Sequence, residues 1–272
     1  MYFDAEKCLA VVIKFCYSDF IYFKMKLVVV LFVILFLAMA VRSEQVPADT
    51  VQISGKVQFK ASSLIAPTAL ILYGVAGFNN QAVQDLNEQI RSGLTKTEKH
   101  TKLDNYLQYT PMAAVYALNL AGIKGKHNFV DRTTILATAY IISGSTVQIL
   151  KHTINIERPD GSAVNSFPSG HTATAFVGAE FLYQEYKDVS VWYGVAGYVA
   201  AAGTGFLRMY NNRHWLTDVA AGAGIGILST KIAYWVHPVI KRVFAKNDKE
   251  IDACALPYYN GQQVGLVLSI NL

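Results

Sequence analysis

The chain is constrained most strongly by uncharged stretches that are each about as long as one helix. Four of them hold 15 to 18 residues without a charged side chain: 64–78, 106–123, 133–150 and 190–207. Further apolar helices are predicted over 172–186 and 215–236, the second ending at His237-Pro238 because proline interrupts a helix. Glycines recur in these segments, and small residues let helix backbones approach closely. The pattern predicts an all-α fold, a tight six-helix bundle.

Composition leaves two settings open for such a bundle. Of the 272 residues, 53% are hydrophobic and only 16% are charged. These fractions suit either one domain with a large apolar core or a membrane-embedded or membrane-associated bundle. Each uncharged run is at or below the roughly 20 residues that a spanning helix needs. Without residues 1–43, which hold five Lys or Arg and three Asp or Glu, the formal charge falls from +5 to +3, too small to indicate a nucleic-acid partner.

The N-terminal region is predicted to be an export signal. Lys24 and Lys26 precede an uncharged run over 27–40, and small residues follow it, as in a secretory signal peptide. We predict that residues 1–43 are the signal peptide region and that Met25 is the true start, with an unusually long signal as the alternative. Two of the three cysteines lie in this region, so an exported product would have no internal disulfide.

Short β segments are predicted on both sides of the helices. Apolar residues alternate over Val51–Phe59, which indicates a strand within the linker 44–63. In the tail 247–272, Asn260-Gly261 is a hairpin turn signal, and alternating apolar residues follow it. The helical domain is therefore expected to cover 64–246.

Side chains suited to catalysis fall in three clusters within 151–218. In chain order they are Lys151, Arg158, Ser169, Gly170, His171, Arg208, His214 and Asp218. Three cations, two histidines, one carboxylate and a Ser-Gly turn that opens a helix suit a multiply charged tetrahedral oxyanion. Guanidinium groups and helix-end amides match the oxygens of such an anion. The clusters therefore indicate a phosphate group as the ligand.

Each cluster taken alone also has a simpler interpretation. His214 and Asp218 lie four residues apart, so the carboxylate can hold one imidazole nitrogen, but charged pairs at this spacing are common on helix surfaces. A Ser-Gly pair before a helix is usually only a cap. Single cations at helix ends often complement the helix dipole. The histidines outside the clusters are predicted to face solvent or cap helices: His100, His127, His152 and His237.

Together, the clusters and their order resemble the signature of the type 2 phosphatidic acid phosphatase and vanadium haloperoxidase superfamily. The resemblance covers roughly residues 105–236 and departs at Leu207, where the family usually has serine. It implies that His214 is the nucleophile that forms a phosphohistidine, that Asp218 orients it, and that His171 protonates the leaving alkoxide. The phosphate contacts that it implies are Lys151, Arg158, Ser169, Gly170 and Arg208.

The resemblance implies a phosphoric monoester hydrolase that acts on phosphomonoesters or pyrophosphates, above all those of membrane lipids. No cofactor is expected, and no metal, because no His, Asp or Glu group outside the clusters has metal-site spacing. The alternatives are a soluble periplasmic acid phosphatase, a vanadate-dependent haloperoxidase and a noncatalytic phosphate- or lipid-binding membrane protein. The oligomeric state stays open.

Two expectations about sidedness conflict. An export signal followed by six spans would put the clusters in the cytoplasm. The basic segment 124–132, however, lies on the face away from the clusters, and basic loops prefer the cytoplasm. Either the run 64–78 does not span, or the bundle lies on or partly in the membrane from the periplasmic side. We favour an exported enzyme of the cell envelope, at the inner membrane, with its site facing the periplasm.

Overall fold

The computed structural model describes residues 61–94, 100–245, 252–259 and 264–271. The predicted signal region 1–43, the strand predicted at 51–59 and the turn at Asn260-Gly261 lie outside the described residues.

Eight α-helices occur in the described part of the chain, the first of them entered through a 3-10 turn at Ala61–Leu64. They are α1 (Ile65–Ala76), α2 (Gln81–Leu94), α3 (Asp104–Leu107), α4 (Thr110–Leu120), α5 (Phe129–Thr153), α6 (Gly170–Tyr186), α7 (Val191–Tyr210) and α8 (Leu216–Ala245). The six predicted helices correspond to α1 and α4 to α8, which confirms the all-α class.

Helix α8 is longer than predicted. It continues through Pro238 to Ala245 instead of ending at His237. The last turns are fastened to α5, since Nε2 of His237 lies 3.3 Å from Oδ1 of Asp131 and Nζ of Lys241 lies 2.8 Å from Oδ2 of the same carboxylate. These contacts compensate for the backbone hydrogen bond that proline cannot make. The prediction that His237 faces solvent is wrong, because its side chain is buried at this contact.

The centre of the bundle is α6, which packs against α4, α5, α7 and α8. Glycines bring α8 against its neighbours. A Cβ on Gly222 would lie 2.5 Å from the carbonyl oxygen of Ser169, and a Cβ on Gly224 would lie 2.5 Å from that of Pro67 in α1. The helices therefore touch at their backbones, as small residues allow. This contact sets the first turn of α8 directly beside the start of α6.

Glu180 in α6 and Lys231 in α8 form a buried ion pair between these apolar helices. Nζ of Lys231 lies 2.6 Å from Oε1 of Glu180, and the hydroxyl group of Tyr198 donates a hydrogen bond to Oε2. Glu180 is 1% exposed. A charge buried among apolar helices is tolerated when it is paired and hydrogen-bonded in this way.

By length and composition, α5 and α8 can each cross a membrane. Helices α1 and α2 form a pair bent by 92°, which would be a third candidate as a broken span or a re-entrant loop. With 12 residues, α1 alone is shorter than a straight span needs.

Two antiparallel strands follow the bundle in the tail. They are β1 (Asp252–Tyr259) and β2 (Val264–Asn271), and their register runs from Asp252 opposite Asn271 to Tyr259 opposite Val264.

Candidate active site

The eight predicted site residues lie at one end of the bundle, because α5 and α7 end where α6 and α8 begin. Lys151 is in the last turn of α5, and Arg208 is in the last turn of α7. His171 and Asp218 are in the first turns of α6 and α8. The remaining site residues are Arg158 and His214, in the loops between these helices, and Ser169 and Gly170, at the start of α6.

His214 and Asp218 form a buried pair. Nδ1 of His214 lies 3.4 Å from Oδ2 of Asp218, and the side chains are 3% and 1% exposed. The backbone N–H of Trp215 donates to the same carboxylate oxygen over 2.9 Å. The backbone of Ser169 also donates to the carbonyl oxygen of Asp218 over 3.0 Å, which ties α6 to α8. The carboxylate is therefore fixed where it can hold the proton of His214 on Nδ1 and leave Nε2 without one.

Ser166 joins this pair, and sequence reasoning missed it. Its hydroxyl group donates to Oδ2 of Asp218 and lies 3.4 Å from Nδ1 of His214. The side chain is fully buried. The only sequence signal was its position, three residues before the Ser-Gly turn at Ser169.

Three cations lie at the end of the bundle where α5 and α7 end. Nζ of Lys151 donates to the carbonyl oxygen of Asn165 over 2.5 Å, and Nε of Arg158 donates to Oδ1 of Asn165 over 3.1 Å. Nη1 of Arg208 lies 2.6 Å from Oδ2 of Asp104, which is also buried. Nε of Arg208 is buried and has no hydrogen-bond partner among the described residues. Such an orphaned donor is expected to receive an acceptor from a ligand or solvent.

The start of α6 lies at the same end of the bundle. Ser169 caps the helix, since its Oγ accepts a hydrogen bond from the backbone N–H of Thr172, and Gly170 is the first helical residue. The first N–H groups of a helix have no partner within the helix and favour an anion. In the same turn, Nε2 of His171 lies 2.8 Å from Oδ1 of Asn105.

Burial and the charges of nearby cations lower the pKa values of both histidines. Burial, with a smaller contribution from the charge of Arg208, lowers the pKa of His171 to about 4. Burial also lowers the pKa of His214, while the hydrogen bond and charge of Asp218 oppose that shift. The site therefore combines neutral imidazoles with strong positive potential, which suits a dianionic ligand.

Helix α2 closes one side of the site, although the sequence there showed only a weak helical period. Its Asn87 donates from Nδ2 to Oγ1 of Thr217 over 3.0 Å, and the guanidinium group of Arg91 lies 5.6 Å from the centre of the Trp215 ring. A cleft open to solvent reaches His214 between α2 and the loop that joins α7 to α8. Within the described ranges, no group of three or more His, Cys, Asp or Glu side chains is placed to hold a metal ion.

Fold and site together define a class: a glycine-packed helical bundle, with helices able to cross a membrane, that carries three cations, two histidines and a buried carboxylate at one end. Residues 132–242 match the model of the PAP2 superfamily. This segment holds all eight predicted site residues.

Parts of the chain are also similar to curated proteins. The chain is 42% identical to the lipid A 1-phosphatase of Porphyromonas gingivalis over 144 residues, which are 53% of this chain and 32% of that protein. It is 36% identical to the bacitracin transport permease protein BcrC of Bacillus licheniformis over 74 residues, 27% of this chain and 34% of that protein. The chain thus spans about a third of the length of these relatives.

Among solved structures, the chain is similar to a transmembrane PAP2-type phosphatidylglycerolphosphate phosphatase from Bacillus subtilis. The identity is 23%, and the superposition covers 68% of this chain and 98% of that chain with a TM-score of 0.46.

Proposed function

We propose that the protein is a phosphatase of membrane lipid phosphates that works through a phosphohistidine at His214 without a metal. The observation that carries the proposal is the meeting of three cations, the start of α6 and the buried His214–Asp218 pair at one end of an apolar bundle. The buried and unpartnered Nε of Arg208 fits this function, because a phosphoryl oxygen supplies the missing acceptor.

In the first step, Nε2 of His214 attacks the phosphorus atom, a P–N bond forms, and the P–O bond to the lipid breaks. His171 gives a proton to the leaving lipid oxygen. In the second step, His171 takes a proton from water as the water oxygen attacks the phosphohistidine, which breaks the P–N bond and releases phosphate. Lys151, Arg158 and Arg208 neutralise the phosphoryl oxygens throughout, which is most of what phosphoryl transfer requires from a protein.

Lipid A 1-phosphate is the first substrate to test, since a lipid A 1-phosphatase is 42% identical over the aligned residues. Lipid pyrophosphates and phosphatidate present the same terminal phosphoryl group to the site. A panel of these lipids in detergent would identify the preferred one.

We propose that the enzyme lies in the inner membrane with its site facing the periplasm. The support is the distribution of charge, because Lys124, Lys126, Lys241 and Arg242 are exposed at the end of the bundle away from the site. Basic segments prefer the cytoplasmic side. A tag in the 124–128 loop should resist external protease in intact spheroplasts. Cleavage of that tag would show that the loop faces the periplasm, which would contradict the proposed orientation.

The activity test measures phosphate released from these lipids by purified protein in a metal chelator. Wild-type protein should release phosphate, and His214→Ala should not. His100→Ala is the matched control, because His100 is exposed and outside the site. Unchanged release by His214→Ala would refute the mechanism, whereas activity confined to small soluble phosphomonoesters would favour a soluble-substrate acid phosphatase.

A further inference from the structure

A short helix outside the sequence motifs contacts two of the proposed catalytic groups. Helix α3 (Asp104–Leu107) lies before the segment that matches the PAP2 superfamily. The residues before it are fastened to the end of α7, since the backbone N–H of Thr101 donates to Oδ1 of Asn211 over 3.0 Å and Nδ2 of Asn211 donates to the carbonyl oxygen of Thr101 over 2.8 Å. These reciprocal hydrogen bonds hold α3 over the site.

Asp104 holds Arg208 by one end of its guanidinium group. The contact uses Nη1 of Arg208 and Oδ2 of Asp104, and both side chains are nearly inaccessible, at 11% and 2% exposure. Nε of Arg208 remains without a partner. A monodentate contact of this kind fixes the orientation of the guanidinium group and leaves its Nε edge available for a phosphoryl oxygen.

Asn105 holds His171. Nε2 of His171 lies 2.8 Å from the amide oxygen Oδ1 of Asn105, and an amide oxygen can only accept a hydrogen bond. Nε2 of a neutral His171 therefore carries the proton. A bound phosphate dianion stabilises the imidazolium form of His171, and a leaving lipid oxygen takes its proton from Nε2 of that form. Asn105 therefore holds the ring with its Nε2–H group in a fixed direction until the substrate arrives.

We propose that Asp104 and Asn105 are positioning residues of the site, Asp104 by aiming Arg208 at the phosphoryl oxygens and Asn105 by orienting the Nε2–H group of His171. The proposal rests on the proposed phosphatase function. The roles of Asp104 and Asn105 predict different effects on catalysis. Arg208 meets oxygens that every phosphate ester shares, whereas in the first phosphoryl transfer His171 matters only when the leaving oxygen requires a proton.

The test compares a lipid phosphate, whose alkoxide leaving group needs a proton, with p-nitrophenyl phosphate, whose leaving group departs as a stable anion. Asn105→Ala should lower kcat/KM about tenfold or more on the lipid phosphate and less than about twofold on p-nitrophenyl phosphate, because kcat/KM reports the first phosphoryl transfer, in which His171 acts only as the acid. His171→Ala should show the same selectivity with a larger loss. Asn79→Ala, in the exposed turn after α1, is the matched control and should change neither rate.

Asp104→Asn should raise KM by about the same factor, roughly tenfold, on both substrates with a smaller change in kcat, since it loosens an anion contact common to both. Asp85→Asn, an exposed carboxylate on α2, controls for the change in charge. If Asp104→Asn does not fold, Asp104→Glu is tested instead. It keeps the charge but displaces the carboxylate, and it should raise KM on both substrates in the same way.

Equal losses on both substrates for Asn105→Ala would overturn the role of Asn105. An unchanged KM for Asp104→Glu or a folded Asp104→Asn would overturn that of Asp104. The proposed function is judged separately: it fails if wild-type protein hydrolyses neither substrate, or if hydrolysis persists in His214→Ala.

Discussion

Removal of the Ser166 hydroxyl group should slow catalysis without weakening substrate binding. Ser166→Ala deletes one oxygen atom from a fully buried position and with it the hydrogen bond to Oδ2 of Asp218. A hydrogen bond to a charged acceptor contributes about 1.5–3 kcal/mol. Because each 1.4 kcal/mol or so changes a rate about tenfold, kcat should fall roughly ten- to hundredfold if the whole contribution is made in the transition state. Trp215 still donates to the carboxylate, so some activity should remain.

The assay is phosphate release from the preferred lipid at several substrate concentrations, together with thermal unfolding of each variant in detergent. KM should stay near the wild-type value, because Ser166 contacts the His214–Asp218 pair and none of the three cations. Ser143→Ala is the matched control, since it removes the same atom from a buried serine in the middle of α5 and should leave kcat unchanged. A kcat within twofold of wild type in folded Ser166→Ala, or a change confined to KM, would refute this reasoning.

Two further predictions concern packing and protonation. Gly222→Ala should destabilise the protein by about 1–3 kcal/mol, because the new Cβ would lie 2.5 Å from the carbonyl oxygen of Ser169. Gly144→Ala, where no heavy atom lies within 4 Å, should not destabilise it, and equal thermal shifts would contradict this account. Sulfate binding should take up protons between pH 4 and 6.5, because a bound dianion raises the lowered pKa of His171 towards its ordinary value, so sulfate affinity should increase as pH falls through this range. Calorimetry in two buffers measures the uptake, and equal uptake by His171→Gln would contradict its assignment to this histidine.

The helices were predictable because the apolar runs are long and almost free of charge, and tertiary contacts then changed their ends. Pro238 predicted the end of α8, but the contacts of His237 and Lys241 with Asp131 carry the helix to Ala245. Asp131 is 106 residues from His237 in the sequence, so no local sequence pattern could predict that their contact extends the helix.

The site was predictable only where its residues form motifs. The two histidines and Asp218 lie where the clusters indicated, at the start of α6 and α8. Ser166 and Asn165 belong to the preceding loop, whose path depends on how α6 and α8 pack. Asp104 contacts Arg208, 104 residues further along the chain, and Asn105 contacts His171, 66 residues further along. Sequence spacing alone could not predict either contact.

Isolation of the covalent intermediate tests the central claim most directly. Protein mixed with a radiolabelled lipid phosphate is quenched in base, in which phosphohistidine survives, and the labelled peptide is identified by mass spectrometry. The account predicts label on His214 in wild-type protein, loss of that label in acid, and neither label nor turnover in His214→Ala. Label on another residue, or phosphate release by His214→Ala at the wild-type rate, would contradict it.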